Sequence, residues 1–147
     1  MSIEFSSKTD IYYEFSNFYL SKIIIDGIEW KSVEHYFQAQ KFPTDKILQD
    51  KIKNSNSPTV AKKLGRTKTE HFRNDWEEVK EQIILVGLRS KFNQNKELKE
   101  MLIKTQNLVL KEKSWWDSYW GTGRDGKGKN RMGYLLSIVR NELQEIK

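Results

Sequence analysis

Between Phe5 and Trp30 the apolar positions follow no helical period. The segment Y-Y-E-F-S-N-F-Y-L gives way to the β-branched run Ile23, Ile24 and Ile25 and then to Asp26-Gly27, so the stretch reads as extended chain ending in a hairpin. From Trp30 the period changes. Val33, Tyr36, Phe37 and Gln40 fall at i, i+3, i+4 and i+7 and predict a helix with one stripe turned inward. Ser32 is its N-cap, and Pro43 stops it by pushing the preceding residue out of helical geometry. A short helix is predicted over about Asp45–Lys53, and another from Ser57 and Pro58 to near Gly65. Asn74 and Glu77 have capping-box spacing ahead of the stripe Trp76, Val79, Ile83 and Gly87, which runs to about Phe92. Asn95 caps a helix through Leu98, Met101 and Leu102, and the final helix shows Met132, Leu135, Leu136, Val139 and Leu143 on one face. The expected fold is α+β and mostly helical, a single domain over residues 1–147 with a small N-terminal β element.

Composition narrows the chemistry. The chain has 147 residues, 37% of them apolar and 12% aromatic, which is enough for one packed core. It contains no apolar run near the roughly 18 residues that cross a bilayer, and M-S-I-E-F-S-S-K-T-D lacks the apolar core of a signal peptide. A cytoplasmic protein with no membrane partner is expected. Zero cysteines exclude disulfides, Fe–S clusters and thiolate zinc, and His35 and His71 alone make a poor metal set, so neither cofactor nor metal is expected; a carboxylate-held magnesium ion stays open. The formal charge of +6 favours an anionic partner, but most of it is scattered lysine of the kind that forms a solvated surface. Only Lys111–Lys113 and Arg124–Arg131 concentrate basic groups near aromatics.

Two segments carry candidate chemistry. On the helix after Trp30, Glu34, Gln38 and Lys41 share a stripe beside the buried one and bring together an acid, an amide and an amine. Between the last two helices, S-W-W-D-S-Y-W-G-T-G-R-D-G-K-G-K-N-R-M-G spans 114–133. Gly121, Gly123 and Gly126 match G-x-G-x-x-G, but too little chain follows for the second strand of a dinucleotide fold, and that reading is rejected. A glycine-rich turn entering a helix can instead offer N–H groups to a phosphate, with Lys127, Lys129 and Arg131 adding charge. Asp117, flanked by Trp116 and Trp120, has the setting of a carboxyl acid beside aromatic faces that can stack on a planar base.

These residues resemble the NADAR, or YbiA-like, family. The resemblance covers nearly the whole chain through S-N-F at 16–18, D-G-x-x-W at 26–30, S-x-E-H-Y-F-Q-A-Q-K-F at 32–42, G-R at 65–66, W-x-x-V-K-E-Q at 76–82, D-x-Y-W-G-x-G at 117–123 and G-K-G-K-N-R-M-G-Y-L-L at 126–136. It is nearest the bacterial branch, whose members are N-glycosidases that cleave the ribosyl–amine bond of early riboflavin-pathway intermediates and release ribose 5-phosphate. Other members act on ADP-ribose attached to guanine. The resemblance implies that Glu34 is the acidic residue of E-H-Y-F-Q-A, that Trp76 is the mid-chain tryptophan and that Asp117 and Trp120 form the D-x-x-W pair. The segment 122–125 varies within the family, so Arg124 is not carried over.

Breaking such a bond develops positive charge at C1, which a carboxylate can stabilise while a second acid protonates the leaving nitrogen. Glu34 and Asp117 are expected in these roles. Glu34 in a first helical turn favours the ionised form, with burial opposing, which makes Asp117 the expected acid. Lys41 offers another route, attack on C1 with a Schiff base to the opened ribose. Trp76 and Trp120 are expected to stack on the base and Arg66 to hold a phosphate. Asn17, His35, Gln38 and Asn130 either orient sugar hydroxyls or satisfy backbone groups. The expected partner is a phosphorylated ribosyl small molecule. The alternatives are ADP-ribosylated guanine in nucleic acid and a non-catalytic nucleotide-binding module.

Overall fold

The structure is a computed structural model and describes residues 1–145. Its chain divides into two compact units, Leu20–Lys91 and the pair of segments Met1–Tyr19 and Phe92 onward.

The unit Leu20–Lys91 opens with the expected hairpin. Strands β2 (Ile23–Ile25) and β3 (Ile28–Trp30) pair antiparallel, Ile23 with Trp30 and Ile25 with Ile28. The turn is tight because Asp26 and Gly27 both take positive φ, 52° and 78°. Ile23, Ile25 and Trp30 are buried while Ile24 and Glu29 are exposed, as strand alternation requires; Ile28, opposite Ile25 at the turn end of β3, is exposed as well. Helix α1 (Val33–Ala39) follows, with all seven residues buried. Ser32 caps it by accepting from the His35 amide. The His35 ring lies between Ser32 Oγ at 2.7 Å and the Ser55 carbonyl at 3.1 Å. A carbonyl only accepts, so Nε2 carries the proton and Nδ1 accepts from the Ser32 hydroxyl. Burial lowers the His35 pKa and keeps the ring neutral. His35 therefore satisfies local groups and ties α1 to the connection between α2 (Lys46–Asn54) and α3 (Pro58–Leu64). Asp45 and Ser57 cap these two helices, and Pro58 occupies the first turn of α3 as expected.

Helix α4 (Trp76–Gln94) starts one residue later than the capping-box spacing suggests. The residue before it is Asp75, whose carbonyl accepts from Glu78 and Val79, while its carboxylate is held by Arg73 at 2.6 Å. Gly87 lets α4 approach α1 closely, since a Cβ there would stand 2.9 Å from Val33 Cγ1.

The second unit is built on a parallel pair that the sequence pattern did not reveal. Strand β1 (Ser2–Phe5) runs alongside β4 (Val109–Glu112), from Ser2 against Val109 to Phe5 against Glu112. Helices α5 (Lys96–Ile103) and α6 (Arg131–Glu145) complete it, and α6 buries the expected Met132, Leu135, Leu136, Val139 and Leu143. Phe15, in a 3₁₀ turn at Tyr13–Phe15, meets the rings of Phe5 and Phe92, each at 6.0 Å. The buried Arg140 on α6 donates to Thr105 Oγ1 at 2.9 Å and the Leu108 carbonyl at 2.8 Å, which fixes the connection from α5 to β4. No helix among the described residues is long and apolar enough to cross a membrane.

The tryptophan and glycine segment is bonded to itself rather than loose. Thr122 N donates to Glu112 O, Gly128 N to Thr122 O at 2.6 Å and Lys129 N to Ser118 O at 2.7 Å. At the start of α6, Arg131 N and Met132 N donate to the carbonyls of Tyr119 and Trp120 at 3.0 and 2.9 Å. These amides, which the sequence offered as a phosphate cradle, are already satisfied by protein.

Candidate active site

In the unit Leu20–Lys91, α1 places Glu34 and Gln38 one turn apart, and Lys41 follows just past the helix end. Glu34 is only 6% exposed, and its Oε2 accepts from Gln38 Nε2 at 2.6 Å. Burial raises the Glu34 pKa; the Gln38 hydrogen bond and the charges of Lys62, Lys41 and Arg66 act the other way. Desolvation by burial is the largest influence on Glu34 and acts against the ionised form that a helix start favours. The half-buried Lys41 ammonium stands 5.7 Å from the Trp76 ring centroid and 6.0 Å from that of Phe37, and it donates to the Gly65 carbonyl at 3.3 Å. Burial lowers its pKa; Glu34 opposes this, while Arg66 and Lys62 reinforce it. An acid pushed up and an amine pushed down thus stand within electrostatic reach of each other, Glu34 on α1 and Lys41 just past its end.

Gln38 is held from behind by Gly65. A Cβ at position 65 would overlap Gln38 Oε1 and lie 2.7 Å from its Cδ. Gln38 Oε1 is buried against Gly65 with no partner among the described residues, an unsatisfied acceptor beside the Glu34 carboxyl. Gly65→Ala is expected to displace the Gln38 amide, loosen Glu34 and cost about 10²-fold in kcat, because small misplacements of catalytic groups are expensive. Steady-state kinetics alongside an unchanged far-UV circular dichroism spectrum checks this; wild-type kcat in the variant would contradict it.

Trp76 is 7% exposed and packs against Phe37 at 4.9 Å and Phe72 at 6.4 Å, so little of its face is left for a base. Arg66 lies on the surface at the end of α3. Phe72, which the sequence reading passed over, is the exposed member of this aromatic group at 41%. Its only signal was an apolar residue in a polar connection.

The other unit carries the remaining candidates. Asp117 Oδ1 accepts from the amides of Tyr119 and Trp120 at 3.0 and 2.8 Å, closing a turn and leaving Oδ2 for other partners. Trp120 is half-buried, with its ring edge-on to Tyr119 at 4.9 Å. Trp115 and Trp116 are 66% and 64% exposed, with Arg124 5.2 Å from one ring and Lys8 5.3 Å from the other. Asn17 is buried; its Nδ2 faces Met132 Sδ at 3.6 Å and its Oδ1 has no partner among the described residues. Asn130 is committed to structure. Its Oδ1 accepts from Glu112 N at 2.9 Å and its Nδ2 donates to Leu110 O at 2.8 Å, clipping both to β4.

Known proteins are similar to this chain in sequence and, for one solved structure, in fold. N-glycosidase YbiA of Escherichia coli K12 is 46% identical over 141 residues, 96% of this chain and 88% of that protein. An N-glycosidase of Nostoc punctiforme is 38% identical over 99% of this chain and 95% of its own length. A riboflavin biosynthesis protein of Vibrio vulnificus is 41% identical over 88% of this chain, which matches 35% of that longer protein. The solution NMR structure of E. coli YbiA superposes with a TM-score of 0.88 at 45% identity, covering 98% of this chain and 87% of that one. The NADAR domain model matches residues 4–144, a span that takes in both the α1 stripe and the tryptophan and glycine segment, and the chain belongs to the NADAR domain family.

Proposed function

We propose that this chain is an N-glycosidase that hydrolyses the C1–N ribosyl bond of early riboflavin-pathway intermediates, the phosphoribosylamino-pyrimidines, and releases ribose 5-phosphate. The names of its relatives support the class of reaction, and the riboflavin name of a third supports the substrate class. The observation that carries the chemistry is the buried Glu34 carboxyl, raised in pKa and held by Gln38. In its protonated form it donates to the leaving nitrogen as the C1–N bond breaks and both bonding electrons pass to that nitrogen. The resulting carboxylate then faces the cationic C1 and takes the proton of the water that adds there. Gln38 Oε1 supplies an acceptor for the sugar, Arg66 a charge for the phosphate, and Trp76 an apolar wall. Asp117 Oδ2 and Trp120, the D-x-x-W pair of the family resemblance, supply a second carboxylate and a stacking face, and the unpartnered Asn17 Oδ1 a sugar contact. Asn130 acts through the backbone of β4.

A second route has its own support in the lowered pKa of Lys41. Here the Lys41 amine attacks C1, its proton passes by way of Glu34 to the departing amine, the ring opens to a Schiff base, and water releases the ribose 5-phosphate and restores the amine. Borohydride added during turnover distinguishes the two. A ribosyl phosphate adduct on Lys41, found by peptide mass spectrometry, is the outcome of the covalent route; its absence under full turnover leaves attack by water. The alternatives on ADP-ribosylated guanine and simple nucleotide binding draw no support from the basic segment, where Arg124, Lys129 and Arg131 lie over Trp115, Tyr119 and Tyr134.

A further inference from the structure

Beyond the end of α3 the chain forms a groove of about 420 Å³ lined by Gly65, Arg66, Thr67, Lys68, Thr69 and Phe72, within the size range of small-ligand sites. Its backbone explains what it can hold. The α3 carbonyls that would repel an anion are already occupied: Ala61 O accepts from Gly65 N, Lys63 O from Arg66 N, and Leu64 O from both Thr67 N and Thr67 Oγ1. The next two amides are different. Among the described residues nothing accepts from Lys68 N–H or Thr69 N–H. Thr69 Oγ1 accepts from His71 N at 3.2 Å, which leaves its proton free to donate. The side chains of Arg66 and Lys68 are exposed and unpaired with any carboxylate among the described residues, and Glu70 lies against His71 at 3.8 Å. Phe72, backed by Phe42 at 6.1 Å, gives the groove an apolar wall.

The groove begins where the acid and amine stand. Gly65 receives Lys41 Nζ on its carbonyl and abuts Gln38, and the Arg66 charge reaches both Glu34 and Lys41. We propose that this groove binds the phosphate of the substrate and that Lys68, with the amides of Lys68 and Thr69, determines specificity for phosphorylated over unphosphorylated ribosides. The inference rests on the N-glycosidase reading above, to which it adds the phosphate subsite.

The test compares wild type with Lys68→Met, a surface substitution that breaks no packing. Kinetics are measured on 5-amino-6-(5-phosphoribosylamino)uracil and on its dephosphorylated riboside, and ribose 5-phosphate binding is measured by calorimetry. The variant should raise KM for the phosphorylated substrate about tenfold with kcat unchanged, weaken ribose 5-phosphate by the same factor and leave the riboside unaffected. Equal effects on the two substrates, or none, would overturn the assignment. Should wild type fail to cleave either compound, the N-glycosidase reading falls while the groove is still judged by amide NMR shifts on titration with ribose 5-phosphate. Shifts centred on Lys68 and Thr69 uphold the anion site, and their absence removes it.

Discussion

Glu34→Gln is expected to lose about 10³-fold in kcat, the scale of a missing general acid, and yet to fold more stably than wild type at neutral pH. The exchange keeps the shape, and the introduced amide oxygen can still accept from Gln38 Nε2 in the place of the 2.6 Å bond. What disappears is a carboxyl whose ionised form is poorly accommodated. Because burial raises its pKa above the ordinary 4.5, the native state binds this proton more tightly than the unfolded chain does. The group's stabilising contribution is thus fullest below its ordinary value and is lost as pH rises through the raised native one. The amide, which does not titrate, removes that loss. The variant should gain about 1 kcal/mol at neutral pH, a few degrees in Tm, and show a flatter stability profile on the alkaline side. Urea unfolding of both proteins across pH 4 to 8 reads this directly. A variant less stable at every pH would mean that Glu34 is a structural ion rather than a buried acid held ready for reaction.

Gly133→Ala is expected to have the largest effect on stability. Gly133 lies in the first turn of α6 against β4, and an added Cβ would overlap the Leu110 carbonyl oxygen and stand 2.5 and 2.8 Å from the Asn130 amide atoms. Neither neighbour can yield cheaply, since the Leu110 carbonyl accepts from Asn130 Nδ2 and the same side chain accepts from Glu112 N. Overpacking against backbone should cost about 3 kcal/mol, or about 10 °C in Tm. Gly126→Ala is the control. Its φ of +74° strains an alanine, but nothing lies within 4 Å, so about 1 kcal/mol is expected. Thermal unfolding of the two variants compares them, and equal losses would show that the α6–β4 approach is not tight.

Most of the helices could be read from the sequence because capping residues and apolar period agree. Ser32, Ser57 with Pro58, and Asn95 all cap where expected. The β1–β4 pair could not be read, because its strands are four residues each, parallel, and drawn from opposite ends of the chain. The Asn130 clip was hidden for the same reason: its partners belong to a strand that no local pattern announces. Glu34, Gln38 and Lys41 were legible as a group because helical geometry brings Glu34 and Gln38 together and Lys41 follows just past the end of α1. Their proton affinities were not, since the outcome depends on how completely α1 is buried, and the pattern marked only one stripe as inward where all seven residues are. Gly65 and Phe72 escaped because their importance lies in contacts with residues far away in sequence, Gln38 and Phe42.

The central claim is tested most directly by incubating purified protein and its Glu34→Gln variant with 5-amino-6-(5-phosphoribosylamino)uracil and measuring the ribose 5-phosphate released. Release by wild type and its near-complete loss in the variant is the predicted result. No release by wild type, or equal release by both, would contradict the N-glycosidase assignment or the place of Glu34 in it, respectively.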